Sequence, residues 1–154
     1  MKTCCGSLIG RSKKFCIVIS RFNEFITERL LKSAVETLKQ AGVAERNIKV
    51  VWVPGALEVA LFCKKVAQQK KYHAVIALGC VLRGGTYHFE CVSNELTRGI
   101  AQISLETGVP VATGIITADT LEQAIDRAGL KAGNKGMHAA LAALEIADLA
   151  EQLK

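Results

Sequence analysis

Short continuous apolar runs alternate along the chain with longer segments in which apolar residues recur every three or four positions. "FCIVIS" (15–20), "IKVVWV" (48–53), "HAVIALG" (73–79) and "PVATGII" (110–116) have strand length and little polar interruption. That is the signature of strands covered on both faces. Between them, Leu31, Val35 and Leu38 lie at helical spacing in segment 25–42, with Gly42 as the stop. Pro54-Gly55 breaks the second run, and a helix is expected from Ala56 to Gln69. Val92, Leu96, Ile100 and Ile103 mark a third helix, beginning near Phe89 and stopped by Gly108. Thr120 and Gln123 have capping-box spacing for a short helix ending at Arg127. A last helix is expected over 134–153, with Met137, Leu141 and Leu144 on one face.

The order β-α-β-α-β-α-β-α-α predicts one α/β domain over 1–154, with residues 1–14 as an N-terminal arm. The expected architecture is a three-layer α/β/α sandwich around a four-stranded parallel sheet with right-handed crossovers. In a flavodoxin-like order 2-1-3-4, the order reverses between strands 1 and 3, and ligands bind outside their carboxyl ends. That rim carries "SRFN" (20–23) and "GCVLRGGTYH" (79–88), with "VPGALE" (53–58) as neighbour.

Composition narrows the picture. Half of the 154 residues are hydrophobic and two are proline, with no low-complexity tract. No apolar run is long enough to span a membrane, and the first residues lack a signal-type apolar core, so a cytoplasmic protein is expected. The six cysteines, two of them adjacent, do not form a disulfide framework. Cys80, His88 and Cys91 offer three ligands at a spacing that fits no common zinc pattern, so no metal site is expected. The net charge of +6 comes partly from Arg11/Lys13/Lys14, Lys64/Lys65 and Lys70/Lys71. No aromatics interleave with them, so they read as solvated surface rather than a nucleic-acid face. The basic field suits a phosphorylated small substrate better.

The stretch after the third strand holds the richest chemistry. Gly84 and Gly85 allow close backbone approach, Thr86 adds a hydroxyl, and the helix that follows presents its positive end. Together they suggest a phosphate site; a glycine turn with no ligand accounts for the same letters. His88 suits proton transfer or simple capping. Phe22, at a strand-to-helix turn, can stack on a planar ring or staple the helix. Glu58 is favoured in a first helical turn whatever its role. Arg127, Lys131 and Lys135 make the glycine-rich link before the last helix unusually basic.

"RFNEFIT" (21–27), "VPGALEV" (53–59), "ALGCVLRGGTYHFE" (77–90) and "GVPVATGIITADTLEQAIDRAGLKAGNKG" (108–136) together resemble the lumazine synthase family over about residues 8–150. The resemblance implies an enzyme without metal or cofactor. It condenses 5-amino-6-(D-ribitylamino)uracil with 3,4-dihydroxy-2-butanone 4-phosphate, releasing 6,7-dimethyl-8-ribityllumazine, phosphate and water in the penultimate step of riboflavin biosynthesis. It implies Gly85, Thr86 and Arg127 on the phosphate, Lys135 near it, and His88 as proton donor and acceptor. Phe22 stacks on the pyrimidine. Ala56, Leu57 and Glu58 contact the ring and ribityl chain, and Cys80, Val81 and Leu82 border the ring. Residues 113 and 127 reach the site from an adjacent subunit of a pentamer. Some members assemble pentamers into icosahedral shells, which the compact "AGLKAGNKG" link resembles; riboflavin synthase is the protein partner the resemblance suggests.

Two positions depart from the family pattern. Position 113 is commonly an aromatic wall and is Thr113 here; position 57 is often phenylalanine and is Leu57. An archaeal-type riboflavin synthase of the same fold, or a non-catalytic lumazine- or flavin-binding shell, are the alternative readings. The Gly85/Thr86/Arg127 set argues against the first and His88 against the second. A receiver-like signalling module would need an acidic cluster after strand 1, and "SRFN" has none.

Overall fold

The computed structural model describes residues 1–131 and 133–154. Four parallel strands, β1 (Phe15–Ser20), β2 (Ile48–Val53), β3 (Ala74–Leu82) and β4 (Val111–Ala118), form one sheet in the order β2-β1-β3-β4. The helices are α1 (Glu24–Gln40), α2 (Ala56–Gln68), α3 (His88–Thr107), α4 (Leu121–Arg127) and α5 (Lys135–Gln152), with a 3-10 turn at Glu45–Asn47. The architecture is the expected α/β three-layer sandwich with its switch point between β1 and β3.

Strand side chains alternate between two cores. Phe15, Ile17 and Ile19 join Ile76 and Leu78 beneath α1, α4 and α5. Cys16, Val18, Val75 and Ala77 pack against Val59, Cys63, Leu96 and Ile100 of α2 and α3. Both central strands are therefore almost wholly buried, as their unbroken apolar sequence requires.

Several details differ from the pattern-based reading. β3 runs on to Leu82 rather than stopping at Gly79, so Cys80, Val81 and Leu82 are strand residues laddered to Ile116, Thr117 and Ala118. Gly79 is there for space: a Cβ would stand 3.1 Å from Ile115 Cδ1 and 3.2 Å from Ser20 Oγ. In α1 the buried stripe is Ile26, Leu30, Ala34 and Leu38, while Leu31 and Val35 are half-buried. The buried face of α5 is mostly alanine: Ala139, Ala140, Ala143 and Ala147, with Leu144. Small residues let this helix approach its neighbours closely; a Cβ on Gly136 would lie 2.0 Å from the carbonyl oxygen of Leu30. Lys13 is not solvated surface. It is 7% exposed and pairs with Asp148 (3.2 Å) and Glu151 at the end of α5. A buried ammonium without such partners would be strongly unfavourable.

The N-terminal segment lies along α5. The backbone N–H of Ser7 donates to Asp148 Oδ2 at 2.8 Å, and Gln152 Nε2 donates to the Cys5 carbonyl at 2.9 Å. No helix among the described residues is long and apolar enough to cross a membrane.

Candidate active site

The carboxyl ends of β1 and β3 and the start of α2 enclose an open cleft of about 350 Å³. Its lining includes Phe22, Glu58, Val81, Thr86, His88 and Phe89. The cleft thus stands at the switch point, and three separate loops meet in it.

The Phe22 side is held by backbone. Arg21 N–H donates to the Val53 carbonyl at 2.8 Å, and Phe22 N–H to the Pro54 carbonyl at 3.1 Å. Asn23 adopts a left-handed conformation (φ 62°) at the start of α1, and its Nδ2 donates to the Cys80 carbonyl at 2.9 Å. These bonds tie the turn to β2 and β3 and leave the Phe22 ring 71% exposed. An aromatic ring exposed on a hydrogen-bonded turn can serve as a stacking platform. Asn23 also lines the cleft; the sequence offered no sign of its role, because the bond runs to a main-chain atom 57 positions away.

Across the cleft, Ala56, Leu57 and Glu58 form the first turn of α2, with Leu57 exposed and Glu58 half-buried. Cys80 and Val81 are buried in the floor, and Leu82 is half-buried. Burial pushes the Cys80 thiol up to about 11. It therefore stays protonated near neutral pH and is a neutral wall, not a nucleophile.

The third side is segment 83–88. Gly84 and Gly85 are exposed, neither has a positive φ, and a Cβ on either would meet no atom within 4 Å. The fold itself does not call for glycine at these two positions. Close approach of a ligand to the backbone would favour it. The Thr86 hydroxyl accepts from the backbone N–H of His88 at 3.5 Å, which leaves its proton free for an anion. His88 opens α3 and its side chain is exposed at the cleft. Unpaired N–H groups of this first turn add positive potential where Thr86 and the glycines stand.

Three expected residues lie elsewhere. Arg127 ends α4, which packs on the α1/α5 side of the sheet through Ala124, and is exposed without an ion-pair partner among the described residues. Lys135 begins α5. Thr113 is exposed on the edge strand β4, its Oγ1 accepting from Ile115 N–H at 3.3 Å. None of these three lines the cleft of its own chain, and Gly85 does not either, although its neighbours Gly84 and Thr86 do. The local structure holds Arg127 firmly all the same. Thr120 accepts from Gln123 N–H in the expected capping box, and Asn134 caps α5 while its Nδ2 donates to the Ala128 carbonyl at 3.0 Å.

The family model for 6,7-dimethyl-8-ribityllumazine synthase matches residues 12–151. Because that match spans the sheet, four helices, all but the last residue of the fifth, and every loop of the cleft, the chain belongs to the 6,7-dimethyl-8-ribityllumazine synthase family.

Proposed function

We propose that this protein condenses 5-amino-6-(D-ribitylamino)uracil with 3,4-dihydroxy-2-butanone 4-phosphate to give 6,7-dimethyl-8-ribityllumazine, phosphate and water. The observation that carries this reading is the cleft, which places an exposed ring, a carboxylate, an imidazole, Gly84 and the Thr86 hydroxyl within one space, with the uncrowded Gly85 between the last two in sequence. In this reading Phe22 stacks on the pyrimidine, with Cys80, Val81 and Leu82 bordering the ring. Ala56, Leu57 and Glu58 receive the ring edge and ribityl chain. Gly85 and Thr86 hold the phosphate through N–H and O–H donors, joined by Arg127 and Lys135.

The chemistry asks little more of the protein. The pyrimidine amine adds to the ketone and the adduct loses water to give an imine. Loss of a proton next to the imine carbon allows the C–O bond to phosphate to break, the resulting enol tautomerises to a ketone, and the second amine adds to that carbonyl and loses a second water to close the ring. His88 moves these protons. Fixed donors at the phosphate stabilise the departing anion, and proximity of two bound substrates supplies much of the rate. Each demand is met by a side chain or main-chain group, so the reaction reads as cofactor-independent.

Arg127 stands on the opposite layer from the cleft, which supports a site completed by a second copy of the chain. An outward apolar groove of Leu31, Val35 and Trp52, beside the unpaired edge of β2, supports the same reading. A cyclic pentamer satisfies both, through a heterologous interface that closes. Incubation of the purified protein with both substrates tests the function. Lumazine fluorescence should appear together with equimolar phosphate and require both substrates. Binding of lumazine or riboflavin without turnover would favour a non-catalytic shell, and riboflavin formed from lumazine alone would favour a riboflavin synthase.

A further inference from the structure

Arg83 immediately precedes the two glycines, yet it does not line the cleft. Its Nε donates to Asp119 Oδ1 at 2.6 Å, and Nη1 pairs with Glu90 in the first turn of α3. Its guanidinium lies over the Phe89 ring, 4.4 Å from the centroid, and its backbone N–H donates to the Ala118 carbonyl at 2.9 Å. One residue therefore joins the entry of segment 84–88 to its exit and to the turn that leads into α4. The hydrogen bond from Arg83 holds the Glu90 carboxyl below its usual range, so it is ionised at neutral pH.

A phosphate dianion approaching Gly85 and Thr86 would otherwise meet two uncompensated carboxylates beside the glycines. With the guanidinium in place the three side chains sum to −1, and without it to −2. Resting on the reading of this segment as the phosphate site, we propose that Arg83 is a positioning residue that neutralises Glu90 and Asp119 and clamps 84–88, keeping the α3 N-terminus attractive to the substrate phosphate. Its partner Phe89 lines the cleft.

The test separates screening from mere structural support. The assembled wild-type protein, Arg83→Gln, Glu90→Gln/Asp119→Asn and the triple variant are titrated with inorganic phosphate. Binding of a pyrimidine analogue is measured in parallel. Arg83→Gln should weaken phosphate about fivefold, the scale of one unscreened charge acting on a dianion near a surface, and the deficit should shrink as salt is raised. The triple variant, whose cluster sums to zero, should bind phosphate at least as tightly as wild type, although it has lost every ion pair of the cluster. Analogue affinity should stay constant throughout. Unchanged phosphate affinity in Arg83→Gln, a triple variant as weak as Arg83→Gln, or no phosphate binding by the wild type would each overturn the role. Should Arg83→Gln fail to fold, the Glu90→Gln/Asp119→Asn protein decides: phosphate binding equal to or tighter than wild type is expected, and weaker binding overturns the role. Phosphate binding without lumazine formation would contradict the proposed reaction while leaving this inference standing.

Discussion

Gly85 and Thr113 carry the most specific expectations at the scale of single residues. Glycine at 85 is explained neither by backbone conformation nor by crowding, so Gly85→Ala should leave thermal stability within about 0.5 kcal/mol, as for an uncrowded surface site. It should nevertheless weaken the phosphate substrate, because a methyl group occupies the approach. Equal binding by both forms, measured by kinetics at saturating pyrimidine, would mean the phosphate does not come close to this backbone. Thr113 is where the resemblance leads us to expect an aromatic wall of the pyrimidine site, and it offers a hydroxyl instead. An added aromatic partner contributes roughly 1 kcal/mol to a flat ring, so Thr113→Phe should tighten a pyrimidine analogue or riboflavin about fivefold by calorimetry. Tightening of the phosphate substrate alone would show that position 113 faces something else. Phe22, Glu58, Thr86 and His88 were legible in the sequence because each pairs a chemically apt side chain with a position on a predicted rim. Asn23, Arg83 and the buried Lys13 were not. Their roles depend on partners 57, 36 and 138 positions away, and no local pattern announces such contacts.

At the scale of elements, because parallel strands and their crossover helices have different periods, alternation of apolar runs and amphipathic stretches was enough to place the four strands and five α-helices of the described residues, though not the 3-10 turn at Glu45–Asn47. Boundaries failed where a glycine served packing rather than punctuation. Gly79 looked like the end of β3, whereas it accommodates Ile115 and Ser20 inside the sheet. The α5 face was misread in a related way: alanines count little in a hydrophobic pattern, yet close helix approach selects them. The attachment of the N-terminal segment to α5 yields a pH prediction. Asp148 is lowered to about 2 by the Ser7 backbone N–H first, then by Gln152 and Lys13. A carboxyl depressed on folding contributes stability that is present above its unfolded pKa near 3.8 and is lost as pH falls toward 2. Hydrogen-exchange protection of the Ser7 amide should therefore fall between about pH 4 and pH 2 before the sheet opens, and Asp148→Asn should abolish the step. Protection constant across that range would show that Asp148 does not hold the segment.

At the scale of the whole molecule, the layer order decides what one chain can do alone. The cleft opens at the β1/β3 switch point. Arg127 ends a helix packed on the α1/α5 side against the edge strand β4. In the proposed reaction the cleft of one chain therefore works with Arg127 of the next. Co-assembly of two crippled variants, His88→Ala and Arg127→Ala, is the most direct test, with mixed composition established by native mass spectrometry and turnover followed by lumazine fluorescence. General acid–base help is worth roughly 10²–10⁴-fold and a charge-assisted phosphate contact about 1.5–3 kcal/mol, so each parent should be slow. In mixed assemblies some interfaces pair an intact His88 with an intact Arg127, and activity should rise well above either parent. Mixed assemblies no more active than the average of their parents would mean that each chain carries its own complete site, and the account would be wrong.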